Sequence, residues 1–161
     1  MTGRLRRDDR AVSIAVTHVL TIAVTTLIIA GLMMGTGFLL ETEKERSAAD
    51  SLETIGERLS SQLSSVDRTT ADGGNVTIEA DHPQTVAGAG YTVELTDSCS
   101  EQPLLDDEID HCLILAYQGG DLEVGVPVKV THNDIDPSSA SGGTIEIRSD
   151  GDEIYIGGEA A

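Results

Sequence analysis

AVSIAVTHVLTIAVTTLIIAGLMMGTGFLL, residues 11 to 40, contains no Asp, Glu, Lys or Arg. As a helix this run is about 45 Å long at about 1.5 Å per residue, against a hydrocarbon core of about 30 Å. It is long enough to span a bilayer. A secretory signal peptide has an apolar region of only about 7–15 residues, followed by a small-residue cleavage site. Here the run is longer, and Gly31 to Gly37 lead straight into a second helical pattern. A retained transmembrane helix over 12–40 is expected.

The flanks orient it. Arg4, Arg6, Arg7 and Arg10 precede the run, whereas only Lys44 and Arg46 follow it closely. The positive-inside rule places the short basic segment, 1–11, in the cytoplasm and everything after Leu40 outside, as a single-pass cell-membrane protein. His18 is the one ionisable group at membrane depth. It lies about two turns from the cytoplasmic end, so an interfacial position is favoured over a proton-relay role.

Beyond the run the period stays helical. Leu52, Ile55, Leu59, Leu63 and Val66 are spaced 3, 4, 4 and 3, one apolar stripe on an amphipathic extension over 41–70. Gly35, Gly37 and Gly56 are places where the helix is free to kink, and Asp72-Gly73-Gly74 stops it.

From Asn75 the period changes to two. Val76 and Ile78 alternate with polar residues, as do Tyr91, Val93 and Leu95. Cys112 to Tyr117 is denser and reads as a central strand. Leu122 to Val130 gives the longest alternation, and Pro127 demotes that strand to an edge. Ile145, Ile147, Ile154 and Ile156 flank Ser149-Asp150-Gly151-Asp152, a hairpin turn. The expectation is an α+β chain. A long helix leads to five or six short strands over 75–161, as a small antiparallel sheet or sandwich with one face covered by the stripe.

Charge narrows the function. The 161 residues hold 28 Asp and Glu against 10 Lys and Arg, a net charge of −18; of these, 26 acids and 6 bases lie beyond residue 40. Such a face suits concentrated salt, where self-repulsion is screened. It excludes a nucleic-acid binder, which needs basic surface to displace counterions. Aromatics are 2% of the chain, so base-stacking platforms are excluded too.

Enzyme signals are poor, with no nucleophile elbow and no phosphate-binding glycine loop, so no catalytic residue, resident metal or cofactor is assigned. Cys99, His111, Cys112 and His132 fit no zinc spacing. Asp106, Asp107, Glu108 and Asp110, like Asp150 and Asp152, have the chemistry for Ca²⁺ but read as solvated surface in so acidic a chain. Cys99 and Cys112 are the only cysteines, 13 positions apart, on the side of the membrane where disulfides persist. A bridge between them is expected to close the loop Ser100 to His111. Asn75-Val76-Thr77 is a sequon on the same outer side, which makes Asn75 a candidate N-glycosylation acceptor.

Arg10-Ala11-Val12-Ser13 resembles the site cut by archaeal prepilin peptidases, and VSIAVTHVLTIAVTTLIIAG resembles the N-terminal segment of haloarchaeal type IV pilins. The resemblance covers about the first third of the chain and extends to uncharacterised pilin-like proteins regarded as minor subunits. It implies cleavage after Ala11 by a prepilin peptidase, leaving Val12 as the mature N-terminus, and assembly with other pilin-like subunits through the N-terminal helix. Ile14 stands where Pro is usual, and Val16 where bacterial pilins carry Glu. Apart from the resemblance, Ser13, Thr17, Thr21 and Thr25 follow at i, i+4, and Gly31 and Gly35 return to the same face. Such a hydroxyl and glycine seam lets a partner helix approach closely in lipid. Two classes of function remain. One is a pilin-like surface subunit acting in filament assembly or adhesion; the other is an anchored ectodomain that binds or senses without polymerising.

Overall fold

The chain contains no proline before Pro83, and its first element, α1, runs as one α-helix over Leu5–Thr69. The computed structural model describes residues 5–99 and 109–158, with the side chains of 5–13 and 36–39 left out of that description. It divides into two units, Met1–Glu43 and Lys44–Ala161.

In the first unit, the described helix surface over residues 14–35 is largely apolar and uncovered. Ile14, Leu27 and Met34 are 73%, 73% and 82% exposed. Its hydroxyls turn back onto the helix: Thr21 Oγ1 donates to the Thr17 carbonyl at 2.8 Å, and Thr25 Oγ1 to the Thr21 carbonyl at 2.7 Å. With those hydroxyls satisfied internally, the surface offered outward is mainly hydrocarbon, His18 being its one ionisable group over residues 14–35.

In the second unit the helix is a core element. Ala48, Leu52, Ile55, Leu59, Leu63 and Val66 are all buried. Eight strands follow: β1 (Val76–Asp81), β2 (Tyr91–Thr96), β3 (Cys112–Tyr117), β4 (Glu123–Pro127), β5 (Asp134–Ile135), β6 (Ser138–Ser141), β7 (Thr144–Ser149) and β8 (Glu153–Gly158). They form two four-stranded sheets, ordered β1-β7-β8-β5 and β4-β3-β2-β6. Inward-facing Val93, Leu95, Leu113, Leu115, Ile145, Ile147 and Ile154 meet the helical stripe in one core.

The α+β class and the alternating strands are as the sequence implies, with three differences. Eight strands replace five or six. The additional two, β5 and β6, are short and polar, and β5 pairs with β8 in parallel. The alternation over Leu122 to Val130 pairs with β3 only as far as Pro127, which does lie on a sheet edge. α1 also passes unbroken through Gly35, Gly37 and Gly56.

Gly56 has a packing reason instead. A Cβ there would stand 2.6 Å from Val126 Cγ2 and 3.0 Å from Leu115 Cδ1. The helix approaches the sheet too closely for any side chain. Gly56→Ala raises helix propensity by about 1 kcal/mol but forces two short core side chains to move, at about 1–3 kcal/mol. A net loss of about 1 kcal/mol is expected in thermal melting of the full chain; a raised melting temperature would show that the core relaxes freely.

Candidate functional site

A polypeptide in lipid must satisfy its backbone internally, and α1 does so along its length. Among the described residues, one helix near the N-terminus is long and apolar enough to cross a membrane. Thr17, Thr21, Thr25, Gly31 and Gly35 all lie on its exposed surface. A Cβ added at Gly31 or Gly35 would meet nothing within 4 Å, so no packing inside the chain requires glycine at either place. His18 is exposed on the same helix. Arg10, Ala11, Val12 and Ser13 have their backbone in α1, and their side chains lie outside the described ones.

The second unit carries the polar chemistry, much of it at the C-terminal end of α1. An acid in the last turn of a helix opposes the helix dipole, so Asp67 needs a tertiary reason to be there. Its Oδ1 accepts the backbone N–H groups of His132 and Asn133 at 2.9 and 3.0 Å and the Asn133 amide at 3.1 Å. Its Oδ2 accepts the Thr131 N–H at 2.9 Å and the Thr131 hydroxyl at 3.0 Å. Asn133 Nδ2 also donates to Thr70 Oγ1 at 2.9 Å. Asp67 is buried. Burial pushes its carboxyl up, but the N–H groups of His132, Thr131 and Asn133 outweigh that and hold it at about 2. This is a carboxylate knot tying the helix end to the segment after β4. Two serines extend the attachment: Ser60 Oγ donates to the Pro127 carbonyl at 2.7 Å and Ser64 Oγ to the Lys129 carbonyl at 2.8 Å.

Beside those serines lies an open groove of about 790 Å³ between α1 and the β4 edge. Glu53 and Glu57 on the helix and Glu123 on the strand line it, over apolar Leu122, Val124 and Val126. Sequence reading missed both knot and groove. No local pattern marks Asp67, because its partners lie 64 to 66 positions away.

The remaining residues singled out from sequence separate. Cys99 and Cys112 are joined as a disulfide with Cα atoms 5.8 Å apart, so neither is a thiolate ligand. No group of three or more His, Cys, Asp or Glu among the described residues is placed to hold a metal ion. Asp106, Asp107 and Glu108 lie outside the described residues; Asp110 is exposed. Asp150 is a turn residue: its Oδ1 accepts the N–H groups of Asp152 and Glu153 at 3.1 and 2.9 Å, which holds its carboxyl below the ordinary range. Asn75 is exposed just before β1.

A model described as a family of unknown function (DUF7266) matches residues 7–157, and the chain belongs to that family. The match runs through the apolar helix and the β units together, so the two are parts of one family pattern. Comparison with curated proteins found no match, and neither did comparison with solved structures.

Proposed function

We propose that this family member is a membrane-anchored, pilin-like surface subunit, a minor one by its resemblance, whose β head lies outside the cell and acts in filament assembly or adhesion. The observation that carries the reading is the division of labour along α1. From Ile14 to Met34 its large apolar side chains are exposed, and from Ala48 onward they are the core of the head. Apolar side chains exposed at this density are stable in lipid or against neighbouring helices, not in water. Gly31 and Gly35 support a helical neighbour, because packing within the chain gives them no role. The arginines before residue 11 support a cytoplasmic N-terminus. The resemblance of Arg10-Ala11-Val12-Ser13 to a prepilin peptidase site supports processing after Ala11.

The experiment is an N-terminal determination on protein from native cells, with sheared surface filaments analysed in parallel. Mature protein beginning at Val12 and recovered with filaments is the expected outcome. Arg10→Ala and Ala11→Leu should abolish processing, seen as retention of the full-length mobility; unchanged mobility of both variants relative to wild type would sink the peptidase assignment. The groove between α1 and β4 favours a second reading, an anchored ectodomain that binds a ligand without polymerising. An intact Met1 on a monomer confined to the membrane would decide for it.

A further inference from the structure

We infer that Asn75 is an N-glycosylation site, an acceptor for a glycan carried on a polyprenyl phosphate or diphosphate. The inference rests on the proposed placement of the head outside the cell, where such transfer takes place.

A sequon is only a pattern until its Asn and Thr are both reachable. Three features of the fold make them so. Burial alternates along β1, with Ile78 and Ala80 turned toward the core and Thr77, Glu79 and Asp81 exposed. Asn75 has the same parity as Thr77, and both are exposed. The acceptor amide and the hydroxyl that a transferase must read therefore lie on the solvent side.

The second feature is position in the sheet. β1 is the first strand of the order β1-β7-β8-β5, so among the described residues β7 is its one strand neighbour and β1 is a sheet edge. Thr77 is held in register opposite Arg148, whereas Asn75 precedes the first paired residue, Val76. The acceptor is therefore outside the ladder, and no sheet hydrogen bond must break to bend it into a transferase.

The third is the lead-in. Gly73 and Gly74 have φ of 78° and 154°, and a Cβ at either would meet nothing within 4 Å. The Cβ side of this turn is open just before the acceptor, while its backbone packs on Gly151 of the β7–β8 turn, so the room for a glycan lies on that open side. No side-chain hydrogen bond occupies the Asn75 amide among the described residues. In the transfer, the Asn75 amide nitrogen bonds to the anomeric carbon of the sugar. The bond from that carbon to the phosphate oxygen breaks, the polyprenyl phosphate or diphosphate leaves with the electron pair, and the amide proton passes to the transferase. A glycan there would also stand beside the β1 edge of the sheet, and unpaired strand edges invite association.

The test uses the protein as isolated from native membranes, digested after Arg68 and Glu79, and weighs the peptide of residues 69–79. Wild type and Thr77→Ser should carry a glycan mass on this peptide. Asn75→Gln and Thr77→Ala should leave it at its unmodified mass, with the near-ultraviolet dichroism of the buried tyrosines retained to show that the head still folds. An unmodified peptide in wild type overturns the assignment. Alkylation of the same sample without reductant separates the causes. With Cys99 and Cys112 oxidised, only the acceptor site is wrong; with both thiols free, the outside placement falls with it.

Discussion

Asp67→Ala should destabilise the β head by about 4 kcal/mol, the largest effect expected of any single substitution in the polar part of the molecule. The carboxylate accepts three backbone N–H groups and two side-chain donors from Thr131, His132 and Asn133. Hydrogen bonds to a charged group contribute about 1.5–3 kcal/mol each, and a buried donor left unpaired costs about 1–3 kcal/mol. Water entering the vacated space recovers part of that, which brings the expected loss to about 4 kcal/mol. The readout is the near-ultraviolet dichroism of Tyr91 and Tyr117, both buried in the head, during denaturant unfolding of the full chain in detergent. Asp67→Asn, which keeps the shape and one acceptor, should cost less. It should also change the acid limb. The folded carboxyl titrates at about 2, below its ordinary 3.8, so its stabilisation is complete above about pH 4 and is lost as pH falls toward 2. The part lost is about 2 kcal/mol, at about 1.4 kcal/mol per unit of pKa. Asp67→Asn removes this dependence. Equal acid sensitivity of wild type and Asp67→Asn would show that the knot is not the acid-labile joint.

Loss of the disulfide should cost the head about 3 kcal/mol. Cys99 and Cys112 close a segment with a sequence separation of 13, and a loop of that size is worth about 3 kcal/mol in the chain-entropy model. The bridge ties the chain just after β2 to the first residue of β3, and those two strands pair along their whole length. Reduction frees the connection but leaves the β2–β3 ladder, so the head should weaken without changing fold. Both cysteines are buried, which makes the double Cys→Ala variant a better probe than Cys→Ser, whose hydroxyls would sit without partners. For a unit of this size about 3 kcal/mol lowers the melting temperature by roughly 10 °C. A melting curve insensitive to reductant would mean that the ladder alone holds the connection.

Some of this architecture is legible in the residues because it depends on neighbours in sequence. The absence of charge from 11 to 40, the spacing of Leu52, Ile55, Leu59, Leu63 and Val66, and the alternation in β1, β2 and β7 are local periodicities, and they mark helix and strand reliably. Pro127 marks a strand edge for an equally local reason: it has no N–H to donate to a neighbour. β5 and β6 escaped because Asp134–Ile135 and Ser138–Ser141 carry no alternation of apolar residues. Their positions are set by the strands that receive them, β8 and β2.

From the residues alone follow a long helix that is apolar in one half and striped in the other, an alternating β region, and two cysteines near enough to bridge. Tertiary structure decided the rest. β1 pairs with β7 across more than sixty residues instead of with its neighbour β2. Gly56 is a contact point where the sequence offers a kink, and Asp67 is a buried knot that no local pattern marks. The physical reason is the same in each case. A side chain's periodicity records which face it turns inward, whereas its partner is chosen by what the rest of the chain brings to that face, through contacts too distant in sequence to leave a local pattern.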